Sequence, residues 1–283
     1  MDAGHQVVVL SRAPYQLKYL PDPNLKAELW DGKNIDRWAG QLLDADAVVN
    51  LAGVGIADKR WSTERKLLLK SSRIDATRAL VNAIGRNMSN RAVFVSGSAV
   101  GYYGSVPEGD VWEDSPMGRG FLAGLCSDWE HEAQRAAAMG TRVVLLRTGI
   151  VIDKDGGALK KLLTPFRFYL GGPLGSGRQW FPWVHREDVV DAILYIIQNK
   201  SLAGPVNMTA PEPLTMDQFC RVLGKAMKRP CWARVPSFML KVLLGEMSEM
   251  LLTGQKVLPQ KLVQAGYRFR HPFAEEALEQ ILK

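Results

Sequence analysis

Short apolar stretches alternate with longer amphipathic stretches along most of the chain. The apolar stretches are rich in valine, isoleucine and leucine, a composition typical of strands that are buried on both faces of a parallel sheet. They cover residues 6–10, 47–51, 92–96, 142–147 and 205–208. Because helical patterns separate these stretches, the sequence predicts an α/β protein with a doubly wound parallel sheet.

Three long stretches carry apolar residues at helical spacing. In the first, Leu67, Ile74, Leu80 and Val81 recur on one side of a helix, which predicts one buried face. The third follows His185 and repeats the pattern with valine and isoleucine. The predicted helices cover residues 63–84, 122–139 and 186–198.

The strand pattern fades after Pro211. Thr215 has the side chain of an N-cap and stands before an amphipathic stretch at 216–227. We therefore predict a main domain at 1–165 and a smaller, mostly helical portion at 166–283 that forms a substrate pocket. One strand and one helix near 185–210 are expected to return to the main domain.

Composition restricts the class of protein. Of the 283 residues, 47% are hydrophobic and 23% are charged, and no apolar run reaches the ~18 residues of a membrane span. The three cysteines have neither the spacing of metal ligands nor that of a disulfide framework, so we expect a cytoplasmic protein without a metal site. The net charge of +7 is scattered and no nucleic-acid-binding motif accompanies it, so we expect neither a nucleic-acid nor a membrane partner.

A cation follows the first predicted strand. Ser11 and Arg12 stand where the adenine ribose of a dinucleotide lies in a doubly wound sheet. A guanidinium suits a 2′-phosphate because it pairs with two phosphate oxygens, whereas NAD sites usually carry Asp or Glu there. Ser11 and Arg12 therefore favour NADP, with NAD also open. The alternative is that Arg12 is only a solvated residue at a strand end.

The second predicted strand ends in small and polar residues, Asn50, Leu51, Ala52 and Gly53. Open parallel sheets bind ligands at the carboxyl ends of their strands. Small residues there let the backbone approach a ligand, so these four positions predict contacts with a cofactor. A tight strand-to-helix turn is an equally good interpretation.

Hydroxyl groups follow the third predicted strand. Ser98, Tyr102 and Tyr103 stand close together in sequence after the strand 92–96. A serine hydroxyl and neighbouring phenols can hold a carbonyl or alcohol and transfer a proton, so we predict that these residues are catalytic. Serine and tyrosine are also ordinary loop residues, which is the alternative.

The run 171–188 combines a glycine-rich loop with aromatic and polar side chains. Ligand pockets combine apolar area with a few polar groups in this way. We predict that a substrate pocket is lined by Gln179, Trp180, Phe181, Trp183 and His185. For His185, which could titrate near neutral pH, the alternative is a hydrogen-bonding role at a helix start.

Together these motifs resemble those of the extended and atypical short-chain dehydrogenases/reductases, which include the nucleoside-sugar epimerases. The resemblance is closer to the atypical branch of epimerase family proteins of the bacterial YfcH type, and it covers essentially the whole chain. The residues that carry it are Gly4-His5, Ser11-Arg12, Asn50 to Gly53, Ser96 to Gly104, Trp129-Glu130, Leu146 to Gly149, Asn207 to Pro213, Gly254 to Pro259 and the run 171–188.

The resemblance implies a Rossmann-like NAD(P)-binding domain at 1–165 and a family-specific C-terminal module at about 235–283. It adds Ser96, Arg147 and Thr148 to the expected cofactor-binding residues and matches Ser98 to the catalytic serine of the superfamily. It also implies a homodimer through the two long helices 63–84 and 122–139. The substrate would be an unidentified small carbonyl or sugar-like molecule.

Two departures from the family pattern affect this interpretation. The family's first strand and Gly-rich turn would stand about twenty residues before Met1. Its Tyr-x-x-x-Lys pair would fall at Leu122 and Cys126 or at Gly124 and Asp128, and neither alignment gives a tyrosine or a lysine. If the protein is catalytic, Tyr102 or Tyr103 would have to act as the acid.

Three hypotheses remain. The chain is either an NADP(H)-dependent oxidoreductase or a non-catalytic protein that binds NADP(H) or a partner, with a link to cell division among its relatives. An enzyme would close the aromatic residues around a cavity, whereas a partner-binding protein would expose them. A third hypothesis is that the chain lacks a central strand and folds poorly, because unpaired buried backbone groups cost about 1–3 kcal/mol each.

Overall fold

The computed structural model describes residues 4–15, 22–35, 37–87 and 92–283. Its central element is a parallel four-stranded sheet with the order β10-β6-β4-β3. The strands are β3 (Ala47–Asn50), β4 (Val93–Ala99), β6 (Arg142–Thr148) and β10 (Gly204–Met208). The sequence predicted all four strands, so the structure confirms the predicted parallel α/β architecture.

The first predicted strand lies in a separate sheet. Strand β1 (Val7–Ser11) pairs in parallel with β2 (Leu25–Leu29), which the sequence did not predict. Within the described residues, neither strand is hydrogen-bonded to β3 or to any other strand of the central sheet. The family strand expected before Met1 stays a prediction.

Helices cover both faces of the central sheet. On one face α1 (Thr63–Asn87) packs against α2 (Phe121–Gln134), and the residues after α2 continue as a 3-10 helix from Arg135 to Met139. On the other face, α4 (Arg186–Gln198) buries Ala192 and Ile196 against β4 and β6. The predicted helices are therefore confirmed in type, and the second one changes to 3-10 geometry in its last turn.

A second core lies beyond the central sheet. It contains α3 (Gly157–Arg167), α5 (Met216–Met227) and α9 (Ala274–Leu282), and its apolar side chains include Phe166 and Phe219. The predicted cap of α5 is present, since Thr215 and Gln218 form a reciprocal capping box. The predicted domain boundary at 165/166 falls inside α3, whereas β10 returns to the central sheet as expected.

Short strand pairs connect the two cores. They are β7 (Ile150–Asp153) with β9 (Trp183–His185), β8 (Trp180–Phe181) with β11 (Leu214–Thr215), and β5 (Val106–Val111) with β12 (Gln255–Val257). The remaining helices are α6 (Ser237–Leu244), α7 (Glu249–Leu252) and α8 (Gln260–Gln264). In the described part of the chain, none of the helices has the length and apolar character needed to span a bilayer.

Candidate active site

The carboxyl ends of three neighbouring strands bring the predicted site residues together. In the strand register, Asn50 lies beside Ser96, Ser98 lies beside Arg147, and Ala99 lies beside Thr148. Residues 50, 96, 98, 147 and 148 therefore share one edge of the sheet. This is the edge at which parallel sheets bind ligands.

Asn50 shapes the turn after β3. Its amide nitrogen donates to the Thr77 hydroxyl at 2.9 Å, and its side-chain oxygen accepts from the Ala52 backbone N–H at 3.2 Å. The Asn50 side chain is thus used inside the protein, while Leu51 after it is 62% exposed. A Cβ at Gly53 would come within 3.0 Å of the Arg73 guanidinium carbon, so glycine keeps this turn compact. The open part of the turn is its backbone and the Leu51 side chain.

Ser98 is held by a buried ion pair. Its hydroxyl donates to Oε1 of Glu130 at 2.6 Å, and Nε and Nη2 of Arg147 each donate to the same carboxylate at 2.8 Å. Burial alone would lower the pKa of Arg147, but the hydrogen bonds and charge of Glu130 outweigh it and raise that pKa. The Ser98 proton is committed to Glu130, so the Ser98 oxygen has lone pairs left to accept from a ligand.

Arg147 organises this network from the interior. The third nitrogen, Nη1, donates to the Tyr103 hydroxyl and to the Glu113 carbonyl, both at 3.0 Å, and the side chain is 3% exposed. All three guanidinium nitrogens therefore have protein partners. In this arrangement Arg147 supports the site through Glu130 and Tyr103, and the cofactor-binding role expected for it stays a prediction.

The two tyrosines have different environments. Tyr103 is buried, its hydroxyl donates to Oδ1 of Asn207 at 2.6 Å, and burial raises its pKa to about 12. Tyr102 is half-buried and stacks on Arg147, whose guanidinium carbon lies 3.5 Å from the ring centroid. The Tyr102 hydroxyl has no hydrogen-bond partner within the described ranges, so this phenol is the one left to donate to a ligand.

Residues of α2 occupy the place beside Ser98. Cys126 is buried there, with Ser98 and the Ala99 backbone as its polar neighbours, and burial raises its pKa to about 11. Asp128, the lysine position in the other alignment, is exposed and pairs with Lys70 at 2.6 Å. The geometry thus matches the alignment that gives Cys126, a neutral thiol in place of an ammonium.

Sequence reasoning missed Glu130 as a site residue. Its only signal was the Trp129-Glu130 pair among the family motifs. A carboxylate is expected on the surface unless a partner is present, and that partner, Arg147, is supplied by a different strand. The pair could be recognised only after α2 was packed against β6.

The other residues expected to bind the cofactor are outside the Ser98 network. Ser96 is fully buried and its hydroxyl lacks a hydrogen-bond partner in the described part of the chain. The Thr148 hydroxyl donates to the Leu146 carbonyl at 3.3 Å. Ser11 accepts from the Ala13 backbone N–H at the end of β1, and Arg12 is exposed.

The residues predicted to line a substrate pocket do not form one wall. Phe181 packs 4.4 Å from Phe219, and Trp183 is 0% exposed inside the second core. Trp180 faces the other way and donates to the Pro107 carbonyl, while Gln179 donates to the Leu174 and Leu251 carbonyls. Successive strand residues point to opposite sides, so a continuous aromatic run is divided between two surroundings.

His185 has the structural role that was its alternative. Its Nδ1 atom accepts from the Glu187 backbone N–H at 3.1 Å and so caps α4. Burial, together with the neighbouring His271 ring, lowers the pKa of His185. It lies beside residues 187 and 271 and has no contact with the Ser98 network among the hydrogen bonds of the described residues.

Comparison with known proteins agrees with this architecture. Residues 1–208 match the NAD dependent epimerase/dehydratase family, and residues 235–281 match a domain of unknown function, DUF1731. The chain is 42% identical over 248 residues to the chloroplastic epimerase family protein SDR39U1 homolog of Arabidopsis thaliana, covering 87% of this chain and 71% of that protein. It is 36% identical over 282 residues to epimerase family protein YfhF of Bacillus subtilis, covering 99% and 90%.

A solved structure shows the same fold. The crystal structure of human epimerase family protein SDR39U1 with NADPH has a TM-score of 0.85 and 32% identity, and covers 99% of this chain and 92% of that one. Because the family match spans more than half of the chain and the relatives match most of it, the chain belongs to the NAD dependent epimerase/dehydratase family, among the atypical short-chain dehydrogenases/reductases.

Proposed function

We propose that this protein binds NADP(H) and reduces a small carbonyl or sugar-like substrate at the edge formed by β3, β4 and β6. The observation that carries the proposal is the Ser98 hydroxyl, which the buried Glu130–Arg147 pair fixes at the carboxyl end of β4. The human relative solved with NADPH supports the choice of cofactor. A cytoplasmic location is part of the same proposal.

Residues at this edge, together with Arg12 just after β1 in the separate two-stranded sheet, fit a dinucleotide. The exposed Leu51 side chain and the backbone of residues 51–53 offer an apolar and a polar surface after β3, and the exposed Arg12 guanidinium offers the partner for a 2′-phosphate. When bound, the cofactor would supply the hydride. The chain's own residues bind the substrate, orient it and provide the proton.

Ser98 and Tyr102 have complementary roles as hydrogen-bond acceptor and donor towards the substrate. Ser98 accepts a hydrogen bond from a hydroxyl group of the substrate, because its own proton is donated to Glu130. Tyr102 donates, since a phenol carries one O–H donor and the Tyr102 hydroxyl has no hydrogen-bond partner within the described residues. A donor of this kind favours reduction of a carbonyl over oxidation of an alcohol, which needs a base. The Tyr103 hydroxyl donates to Asn207 and accepts from Arg147, so it holds Arg147 in place.

Cofactor binding is tested by titrating NADPH and NADH and following tryptophan fluorescence. Two forms are used, the 283-residue chain and a form extended ahead of Met1 by a strand and Gly-rich turn of the family type. In the form that binds, Arg12→Ala should weaken NADPH about tenfold or more, as expected for loss of a charge-assisted phosphate contact, and leave NADH unchanged. Arg268→Ala, another exposed arginine, is the control. Failure of both forms to bind either nucleotide contradicts the proposal.

Catalysis is tested by NADPH oxidation against a panel of aldehydes, ketones and keto-sugars. Ser98→Ala and Tyr102→Phe should each lower kcat by about a hundredfold or more, the usual contribution of a positioned acid or orienting group, while NADPH affinity is kept. Tyr103→Phe is expected to act mainly on stability. Unchanged turnover in the triple variant would exclude these residues from the reaction.

A second candidate is an NADP(H)-binding protein that acts through a partner. Helix α6 favours it, because Phe238, Val242 and Leu243 are 62–72% exposed on one short helix. Apolar exposure of this kind is typical of interaction surfaces. NADPH binding without turnover on any member of the panel would favour this function over the oxidoreductase.

A further inference from the structure

Three side chains that are common metal ligands meet at the start of α4. They belong to His185, Glu187 and His271, and one ligand atom from each lies within 4.8 Å of the other two. The His271 Nε2 atom is 3.1 Å from Oε2 of Glu187, and the centroids of the two imidazole rings are 4.0 Å apart. The cluster is separate from the Ser98 network described above.

The backbone around the cluster is held by other groups. Asp188 is fully buried, and its carboxylate accepts from the backbone N–H groups of Arg270 at 2.7 Å and His271 at 3.1 Å. This fixes His271, from the segment before α9, against the junction of β9 and α4. Backbone contacts from outside the cluster therefore bring the three residues together, and hydrogen bonds of Glu187 to His185 and to His271 orient their side chains.

A small cavity gives access to the cluster. It has a volume of about 160 Å³ and is lined by residues that include Asp153, Lys154, Arg186 and Gln280. Arg186 is paired with Asp153, and Lys154 is the other cation facing the cavity. The Glu187 side chain is 40% exposed, so water can reach the cluster. Glu187 and Asp188 also offset the positive end of the α4 dipole.

We propose that His185, Glu187 and His271 bind one divalent transition-metal ion of the Zn²⁺ class, with water completing the coordination. Two imidazole nitrogens and one carboxylate oxygen suit Zn²⁺ and its neighbours, whereas Mg²⁺ and Ca²⁺ prefer oxygen ligands alone. Ligand atoms about 2.0–2.1 Å from a tetrahedral ion are ~3.3 Å apart. The Glu187–His271 pair already has nearly this separation, and rotation of side chains closes the rest.

Binding of the ion competes with two existing hydrogen bonds, the one that His185 Nδ1 accepts at the start of α4 and the one between His271 Nε2 and Glu187 Oε2. A carboxylate only accepts, so His271 carries its proton on Nε2 in that bond and must shift it to Nδ1 to bind the ion through Nε2. A neutral imidazole has a single lone pair, and in His185 it accepts from the Glu187 N–H at the helix start. When the ion binds, this lone pair coordinates it, and the backbone N–H of Glu187 donates to water instead. In return the ion links the segment before α9 to the β9–α4 junction, so it should stabilise the folded protein.

The experiment uses the full chain, stripped with EDTA and exchanged into metal-free buffer. Zn²⁺ is titrated by calorimetry, and Co²⁺ is followed by its visible absorption. We expect one ion per chain and a higher Tm with Zn²⁺ than with Mg²⁺. His185→Asn keeps a helix-capping side chain, His271→Phe keeps an aromatic ring, and Glu187→Gln keeps the shape. Each should weaken binding about tenfold or more, because losing even an outer-shell partner of a metal ligand typically costs about 10–100-fold in affinity.

The control is His131→Asn, which removes an exposed histidine of α2 and should leave binding unchanged. Circular dichroism without metal shows whether each variant is folded. If a histidine variant unfolds, the Glu187→Gln variant, which changes a partly exposed side chain, tests the proposal in its place. The proposal is overturned if wild-type protein binds no Zn²⁺, if the folded variants bind as wild type does, or if His131→Asn loses the ion equally.

Discussion

The most direct test of the buried network is the substitution Glu130→Gln. It keeps the shape of the side chain but removes the charge opposite Arg147. In the wild-type protein, the Glu130 carboxylate accepts from Ser98 at 2.6 Å and from two Arg147 nitrogens at 2.8 Å each. A glutamine oxygen can keep part of this set. Its NH₂ group would face the Arg147 Nη2 donor, so at least one charged hydrogen bond is replaced by a contact between two donors.

The expected cost follows from burial. The side chains of Arg147 and Glu130 are 3% and 9% exposed, so water cannot replace the missing charge. Removing one member of a buried ion pair usually costs about 3–5 kcal/mol. At an m value of roughly 2–3 kcal/mol per molar of urea, the unfolding midpoint should fall by about 1–2.5 M.

The assay is urea unfolding at pH 7, followed by tryptophan fluorescence and circular dichroism. Arg147→Met and the double variant Glu130→Gln/Arg147→Met complete a double-mutant cycle, in which the double variant should cost less than the sum of the single variants by about 2 kcal/mol or more. Asp128→Asn, on the same helix, breaks the exposed pair with Lys70 and should cost no more than about 1 kcal/mol. A Glu130→Gln cost as small as this control, or additive single variants, would refute the reasoning.

Three further predictions concern stability and assembly. Thr215→Ala removes the capping box of α5 and should cost about 1 kcal/mol, whereas Thr215→Ser should cost little; equal urea midpoints for both would contradict this. Burial raises the pKa of Cys126 to about 11 and of Tyr103 to about 12, so the folded state keeps protons that the unfolded state loses from about pH 9 upward. Stability should therefore fall between about pH 9 and 12, and Cys126→Ala should reduce the slope in the lower part of this range; a flat profile would argue against buried neutral groups. The exposed Leu67 and Leu68 on α1 support the proposed homodimer, so light scattering should give twice the monomer mass for wild type and a monomer for Leu67→Glu, while a monomeric wild type would remove this proposal.

The strand ends show which part of the candidate site could be predicted from the sequence. Asn50 and Ser98 were placed at the carboxyl edge because parallel strands end together, and the register confirms that they share that edge. The same reasoning did not give the ion pair that holds Ser98. Glu130 lies on a helix and Arg147 on another strand, and a pattern of apolar positions records only which face of an element is buried.

The aromatic run shows a different limit. Composition made 179–185 a candidate pocket wall, but β8 and β9 direct Trp180 and Trp183 to different surroundings, so Trp183 is buried in the second core. A run of large side chains is compatible with a core or with a pocket, since both need apolar area. Which of the two forms is decided by what packs against each face.

By itself, the sequence determined the parallel α/β fold, helices α1 and α4, the cap of α5 and the family. These features depend on neighbours within a few turns of chain or on motifs read as continuous text. Only the tertiary structure decided that β5 pairs with β12, that Glu130 accepts from both Ser98 and Arg147, and that His185, Glu187 and His271 meet. Their members are distant in sequence, and the path of the chain around two cores brings them together, which no local periodicity records.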